Sequence, residues 1–156
     1  MVSDKPIIKM NMKFREVQGN LMSTNASICH CVSEDLAMTR GIAKTIKHRF
    51  RRITELRGKG TKTGDIAVLQ VGPRFVYNLV TKENYWEKPT YGTLRSSLER
   101  MKEHAEQNSV RKICMPRIGC GLDRLKWTKV KQMVIDVFKN DQMEIVVYVL
   151  QNDAKI

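Results

Sequence analysis

The segment from Cys114 to Trp127 holds most of the residues whose types and spacing can do chemistry. It reads as the end of an apolar strand, then Pro116-Arg117-Ile118-Gly119-Cys120-Gly121-Leu122-Asp123, then the start of a helix. Glycines let a backbone approach phosphate oxygens, and the free amides of a helix start bind them. An ordinary strand-to-helix turn looks the same. The run is not the dinucleotide-binding fingerprint, because no third glycine or alanine follows at the required place. Asp123 fits a loop acid or a helix cap as well as an acid/base group. Lys82 is one of 28 basic residues, and most lysines are solvated; its place at the end of an apolar run singles it out. A lysine there, partly desolvated or beside another cation, can lose its proton near neutral pH and attack a carbonyl carbon. Cys120 lies beside the loop amides, but no histidine partner is suggested for it. His30 sits in an apolar run as a core or rim residue, and His48 and His104 fall on helices among charges.

Such residues need elements to hold them. Met12 to Val17 and Ser27 to Val32 read as strands. Gly41 to Arg57 reads as one helix, with Ile42, Ile46, Phe50, Ile53 and Leu56 on a stripe and Lys44, Lys47, His48, Arg51 and Arg52 opposite. A basic Gly/Thr loop, Gly58 to Gly64, follows. Ile66 to Val71 and Phe75 to Thr81 are apolar runs around the turn signal Gly72-Pro73. Thr90 can cap a helix whose stripe is Leu94, Leu98, Met101 and Ala105. Arg111 to Met115 is a short strand. Trp127 to Phe138 is a helix with Val130, Met133, Val134, Val137 and Phe138 inward, and Met143 to Leu150 is a last buried strand. Helices between apolar strands predict an α/β domain with a mostly parallel sheet covered on both faces. Ligands of such sheets bind beyond the carboxyl ends of the strands. Gln18 to Leu21, Ser33 to Asp35, Lys82, the Pro116 to Asp123 loop and Gln151 all follow strands, so they collect at one rim if those strands are parallel.

The 156 residues suit one domain, expected over 12–150, with a short tail at 1–11 and an extension at 151–156. No run approaches the ~20 apolar residues of a membrane span, and the first twelve residues lack the apolar segment of a signal peptide. An intracellular protein of the nucleus or cytoplasm, monomeric and with no membrane partner, is the expectation. Four cysteines without a CxxC pair predict reduced thiols and no zinc site. A net charge of +12 predicts attraction to polyanions, and nucleic acid, poly-ADP-ribose and a nucleotide diphosphate all fit.

The rim residues also carry a pattern. Gly19-Asn20-Leu21, His30-Cys31-Val32-Ser33-Glu34-Asp35, Gly41-Ile42-Ala43, Thr81-Lys82, Lys88-Pro89-Thr90-Tyr91 and Met115 through Leu125 occur in order. In these the chain resembles the macrodomain family of O-acyl-ADP-ribose deacylases and terminal ADP-ribose protein glycohydrolases, from about Phe14 to Leu150. The resemblance implies a single macrodomain, its mixed six-stranded sheet sandwiched between helices, with ADP-ribose in a rim cleft. It implies that Lys82 is the nucleophile toward the anomeric carbon of the distal ribose in its open aldehyde form, and that Asp123 is the general acid/base. It implies that Arg117, Ile118, Gly119, Cys120, Gly121 and Leu122 hold the diphosphate and distal ribose. Asn20 then faces the adenine, Leu21 and Leu150 lie along the ligand, and Ser33 and Arg40 join the binding set. No metal and no cofactor are implied. The substrates would be ADP-ribose esters on protein glutamate or aspartate and O-acyl-ADP-ribose.

Three departures stand out. Asn20 replaces the usual Asp that accepts the adenine amino group, so the contact loses a charge. Met38-Thr39-Arg40-Gly41 stands where the family favours small residues, and Arg40 can pair with the diphosphate or obstruct the distal ribose. Gln151 to Ile156 extends past the point where similar proteins end. Two other classes compete. One is a non-catalytic reader of ADP-ribose, which the joint presence of Lys82 and Asp123 disfavours. The other is a nucleic-acid-binding module, whose basic helix face lacks the aromatic interleaving that base stacking wants. Weak nonspecific nucleic-acid binding is the most it suggests.

Overall fold

The computed structural model describes residues 12–150. The expected tail at 1–11 and extension at 151–156, with Gln151, lie outside the described residues. Six strands form one sheet: β1 (Lys13–Gln18), β2 (Ser27–Ser33), β3 (Ile66–Val71), β4 (Arg74–Lys82), β5 (Lys112–Met115) and β6 (Glu144–Val149). The helices are α1 (Gly41–Phe50), α2 (Ile53–Gly58), α3 (Tyr91–Gln107) and α4 (Trp127–Phe138). The sheet order is β1-β6-β5-β2-β4-β3. Every neighbouring pair is parallel except β3 with β4. The antiparallel pair is a hairpin closed by Gly72 and Pro73, with Val71 opposite Arg74. Gly72 has φ 61°, as the first central position of a tight hairpin turn requires, and proline accepts the second.

Strand alternation sorts the core into two layers. On β4, Tyr77 and Leu79 face α3 and α4, packing with Leu94, Leu98, Met101, Val130, Val134 and Phe138. Val76 and Val80 face the other side, with Ile46 of α1, Leu56 of α2, Ile28 and Val146. A period of two on a strand buried on both faces yields this continuous apolar run. Helix α3 starts at Thr90, whose side chain accepts from the Thr93 amide while the Thr93 hydroxyl accepts from the Thr90 amide. That reciprocal pair satisfies two donors left free by the helix start.

The expected single helix from Gly41 to Arg57 is two. Arg51 takes a left-handed conformation (φ 62°) and ends α1, with its amide on the Lys47 carbonyl. The Arg52 guanidinium then bonds both Glu55 carboxylate oxygens at 2.9 Å and the Gln70 carbonyl at 2.6 Å. A straight 41–57 helix would run roughly 25 Å. The break instead turns Leu56 back onto Leu69 of β3. Periodicity could not reveal it, because the apolar stripe continues through the bend.

Candidate functional site

The five strands whose ends were expected to share a rim, β1, β2, β4, β5 and β6, are mutually parallel, so their carboxyl ends open on one side of the sheet. Lys82 is the last residue of β4, beside Ser33 of β2 after a register shift at Val32/Ser33. Its carbonyl accepts from the Glu34 amide at 2.9 Å, and the Thr93 hydroxyl donates to the preceding Thr81 carbonyl at 2.7 Å. The backbone of the lysine is therefore fixed from both sides.

Asp123 arrives from the loop between β5 and α4. Three turns shape that loop: the amides of Cys120, Arg124 and Leu125 donate to the carbonyls of Arg117, Gly121 and Gly119. Gly119 has φ 73°, and a Cβ there would lie 2.9 Å from Leu125 Cδ1, so both backbone and packing call for glycine. The Tyr91 hydroxyl accepts from the Lys126 amide at 3.0 Å and ties the loop's end to α3. The result is an ion pair between Lys82 Nζ and Asp123 Oδ1 at 2.6 Å. The two side chains are only 13% and 16% exposed, which limits screening by water.

Around this pair the structure sorts the expected site residues. Ser33 is buried, and its hydroxyl donates to Asp35 Oδ1 at 2.5 Å. Asp35 also accepts from the amides of Ala37 and Tyr85. Burial raises its pKa, but these bonds and nearby Lys82 more than offset that and hold it below the usual carboxylate range. Sequence reasoning placed Asp35 on the rim without a role; its position two residues past the Ser33 strand end was the available signal. Ile118 is buried beneath the loop, while Gly121 and Leu122 are exposed. Burial pushes the Cys120 thiol up to about 11, so it is no thiolate, and its Sγ lies 3.2 Å from the Ile118 carbonyl. Among the described residues, no three His, Cys, Asp or Glu side chains cluster as a metal-ligand set.

Four of the residues have partners that the sequence did not show. Arg117, expected at the diphosphate, has its guanidinium held by Glu16 at 3.1 Å and over the Trp127 ring. Glu16 is the hub there. Burial raises its pKa, and bonds from Trp127, Arg117 and Lys131 outweigh that and lower it. The Leu21 side chain is 3% exposed and belongs to the core between β2 and α1, which leaves its backbone to lie along a ligand. The Asn20 carboxamide oxygen is not free: it caps a 3-10 turn at Leu21–Ser23 by accepting from the Met22 amide at 2.9 Å. One lone pair and both Nδ2 protons remain for other partners. His104 is not simply among charges. Its Nδ1 meets the Tyr77 hydroxyl at 2.8 Å, and its ring packs edge-on against Phe75 and Tyr77. Arg40, at the start of α1, is exposed and forms no ion pair among the described residues, and Leu150 is exposed at the end of β6.

The mixed six-stranded sheet between helices, with five parallel strand ends on one rim, is a fold shared with solved macrodomains. The Macro domain family model matches residues 23–134, most of the chain, which therefore belongs to that family. Over 136 residues the chain is 44% identical to human ADP-ribose glycohydrolase OARD1, covering 86% of this chain and 90% of that protein, and the bovine counterpart matches equally. Among solved structures, the macrodomain of Thermus aquaticus DarG superposes with a TM-score of 0.79 at 23% identity, covering 88% of this chain and 99% of that one. Thermosipho africanus DarTG in complex with ADP-ribose gives 0.78 at 16% identity, covering 90% of this chain and 42% of that one. The likeness to these two extends to the fold.

Proposed function

We propose that this protein is a hydrolase that binds ADP-ribose along the rim and releases it from carboxylate esters, on protein glutamate or aspartate and in O-acyl-ADP-ribose. The observation that carries the reading is the Lys82–Asp123 contact of 2.6 Å beside the glycine loop. The 44% identity to a glycohydrolase of ADP-ribose supports it. The amides of Gly119, Gly121 and Leu122, which take no part in the three turns of the loop, would face the diphosphate, placing the distal ribose against Lys82. A protonated lysine has no lone pair. Transfer of its proton to the Asp123 carboxylate frees Nζ to attack C1″ of the distal ribose. The C1″–Nζ bond forms as the C1″–O bond to the ester breaks, the carboxylate leaves with the bonding pair, and the resulting glycosylamine opens to an imine. An acyl group on a neighbouring ribose hydroxyl first migrates to the C1″ oxygen. The departing carboxylate is a weak base and needs little help. Water then releases ribose from the lysine, with Asp123 moving the proton in the opposite sense.

The test is incubation with a glutamate-linked ADP-ribosyl peptide and measurement of free ADP-ribose. Lys82→Ala should abolish turnover yet retain ADP-ribose binding, and Asp123→Ala should slow turnover by roughly a hundredfold or more. Reductive trapping with mass spectrometry should find ribose on Lys82. Near-wild-type turnover by Lys82→Ala would refute the nucleophile, leaving Asp123 to activate a water. Tight binding without turnover by the wild type would make the protein a reader.

A further inference from the structure

We propose that Tyr85 and Trp86 form a platform for the acceptor side of the substrate, a peptide segment with an apolar side chain next to the ADP-ribosylated carboxylate. This rests on the reading that ADP-ribose lies along the rim with its distal ribose at Lys82. Strand order then sets the direction in which the acceptor leaves. The rim runs from Asn20 after β1, past Leu150 after β6, the glycine loop after β5 and Ser33 of β2, to Lys82 of β4. Four strand spacings of ~4.8 Å make that path about 19 Å. With adenine at the β1 end, the reacting carbon is at the far end, and whatever is bonded to it projects beyond β4. The chain that leaves Lys82 on that side is the Glu83–Pro89 loop.

That loop is built rather than loose. The Glu87 amide donates to the Asn84 carbonyl at 3.0 Å, and the Asn84 amide donates to Glu87 Oε1 at 2.7 Å. The Tyr85 amide is held by Asp35, and Lys88 Nζ donates to the Leu122 carbonyl next to Asp123. Each anchor uses backbone or a polar neighbour, and the two aromatic rings take part in none. They pack edge to face, centroids 5.2 Å apart, and are 56% and 67% exposed. Among the described residues the exposed large hydrophobics are these two, Leu122 and Leu150, so three of the four flank the Lys82–Asp123 pair in sequence. Aromatic side chains held on a fixed turn offer large contact area at little entropic cost, as binding hot spots do.

The charges favour a peptide over a nucleic acid as occupant. Glu83 and Glu87 are both exposed beside the rings and repel a phosphodiester backbone. Most of the excess of basic residues lies elsewhere, between Arg40 and Lys62. The perpendicular rings (85°) also present no parallel faces for successive bases.

The test uses the full chain and three substrates: a glutamate-linked ADP-ribosyl peptide with Phe beside the glutamate, the same peptide with Gly there, and O-acetyl-ADP-ribose. Amide-linked, uncleavable versions of both peptides are measured by calorimetry. The wild type should prefer the Phe peptide by about tenfold in kcat/KM and in Kd. Trp86→Ala and Tyr85→Ala should each erase most of that preference and leave O-acetyl-ADP-ribose hydrolysis unchanged. The proposal falls if binding shows no Phe preference, if the double variant keeps it, or if O-acetyl-ADP-ribose turnover drops in parallel. It falls too if the variants instead lose binding to ADP-ribosylated single-stranded DNA with the peptides unaffected. Absent hydrolysis with a Trp86-dependent Phe preference in binding would overturn the hydrolase reading and support the platform.

Discussion

Replacing Gly119 by alanine tests how the loop presents Asp123. Two costs add at this position. The φ of 73° places a Cβ in the left-handed region, a strain of about 1–2 kcal/mol for an L-residue. The new methyl would also lie 2.9 Å from Leu125 Cδ1 and 3.5 Å from Leu94 Cδ2. Leu94 is fully buried, so Leu125, which is partly exposed, must yield, at about 1 kcal/mol. The sum of about 2–3 kcal/mol should lower Tm by roughly 4–12 °C in a domain of this size. Because the Leu125 amide bonds the Gly119 carbonyl at 2.7 Å, relief by backbone movement would drag the Asp123 segment with it. Turnover at 20 °C, where the variant is still folded, should therefore fall tenfold or more. A double-mutant cycle with Leu125→Ala separates the two costs. Removing Cδ1 should recover about 1 kcal/mol of the steric part and none of the strain. A Gly119→Ala variant within 0.5 kcal/mol (about the measurement scatter) of wild type in urea unfolding would refute the strain argument. A cycle with no coupling would refute the contact.

Three further outcomes follow from particular residues. His30 is fully buried with its Nε2 on Asn78, and burial lowers its pKa to about 4 from 6.5. Its folded pKa lies below its unfolded one, so its contribution is complete above pH 6.5 and is lost as pH falls toward 4, by roughly 3 kcal/mol. Urea midpoints of His30→Gln should therefore depend less on pH than those of wild type across that window, and parallel curves would disprove it. Asn20→Asp should keep the cap on Met22, since a carboxylate accepts equally well, and tighten ADP-ribose binding in calorimetry; unchanged or weaker affinity would count against adenine lying there. Binding to a single-stranded oligonucleotide should be weak, sequence-independent and steeply salt-dependent, using Lys44 most. Lys47, Arg51 and Arg52 should contribute less, because they already bond the carbonyls of Ala37, His48 and Gln70. Submicromolar, sequence-selective binding at physiological salt would overturn this.

Much of the frame was legible in the residues alone. Alternating and helical periodicities placed the strands and α3 and α4 within a residue or two, because burial of one face repeats locally along the chain. The parallel rim followed from helices falling between apolar runs, and the Pro116 to Asp123 loop was visible as glycines between a strand and a helix. What required the tertiary structure is whatever depends on partners distant in sequence. Lys82 and Asp123 meet because β4 and β5 flank β2, an order that local pattern does not encode. Arg117 turns to Glu16 because β1 lies at the sheet edge near α4, and the Arg51 break exists because Arg52 finds Gln70 on β3. Leu21 is an exposed-looking residue after a strand until the 3-10 turn capped by Asn20 folds it into the core. Hydrophobic period is a one-dimensional signal, so sequence could determine elements and their buried faces. Pairing between side chains on different elements is decided only when the sheet order brings their ends within hydrogen-bonding distance.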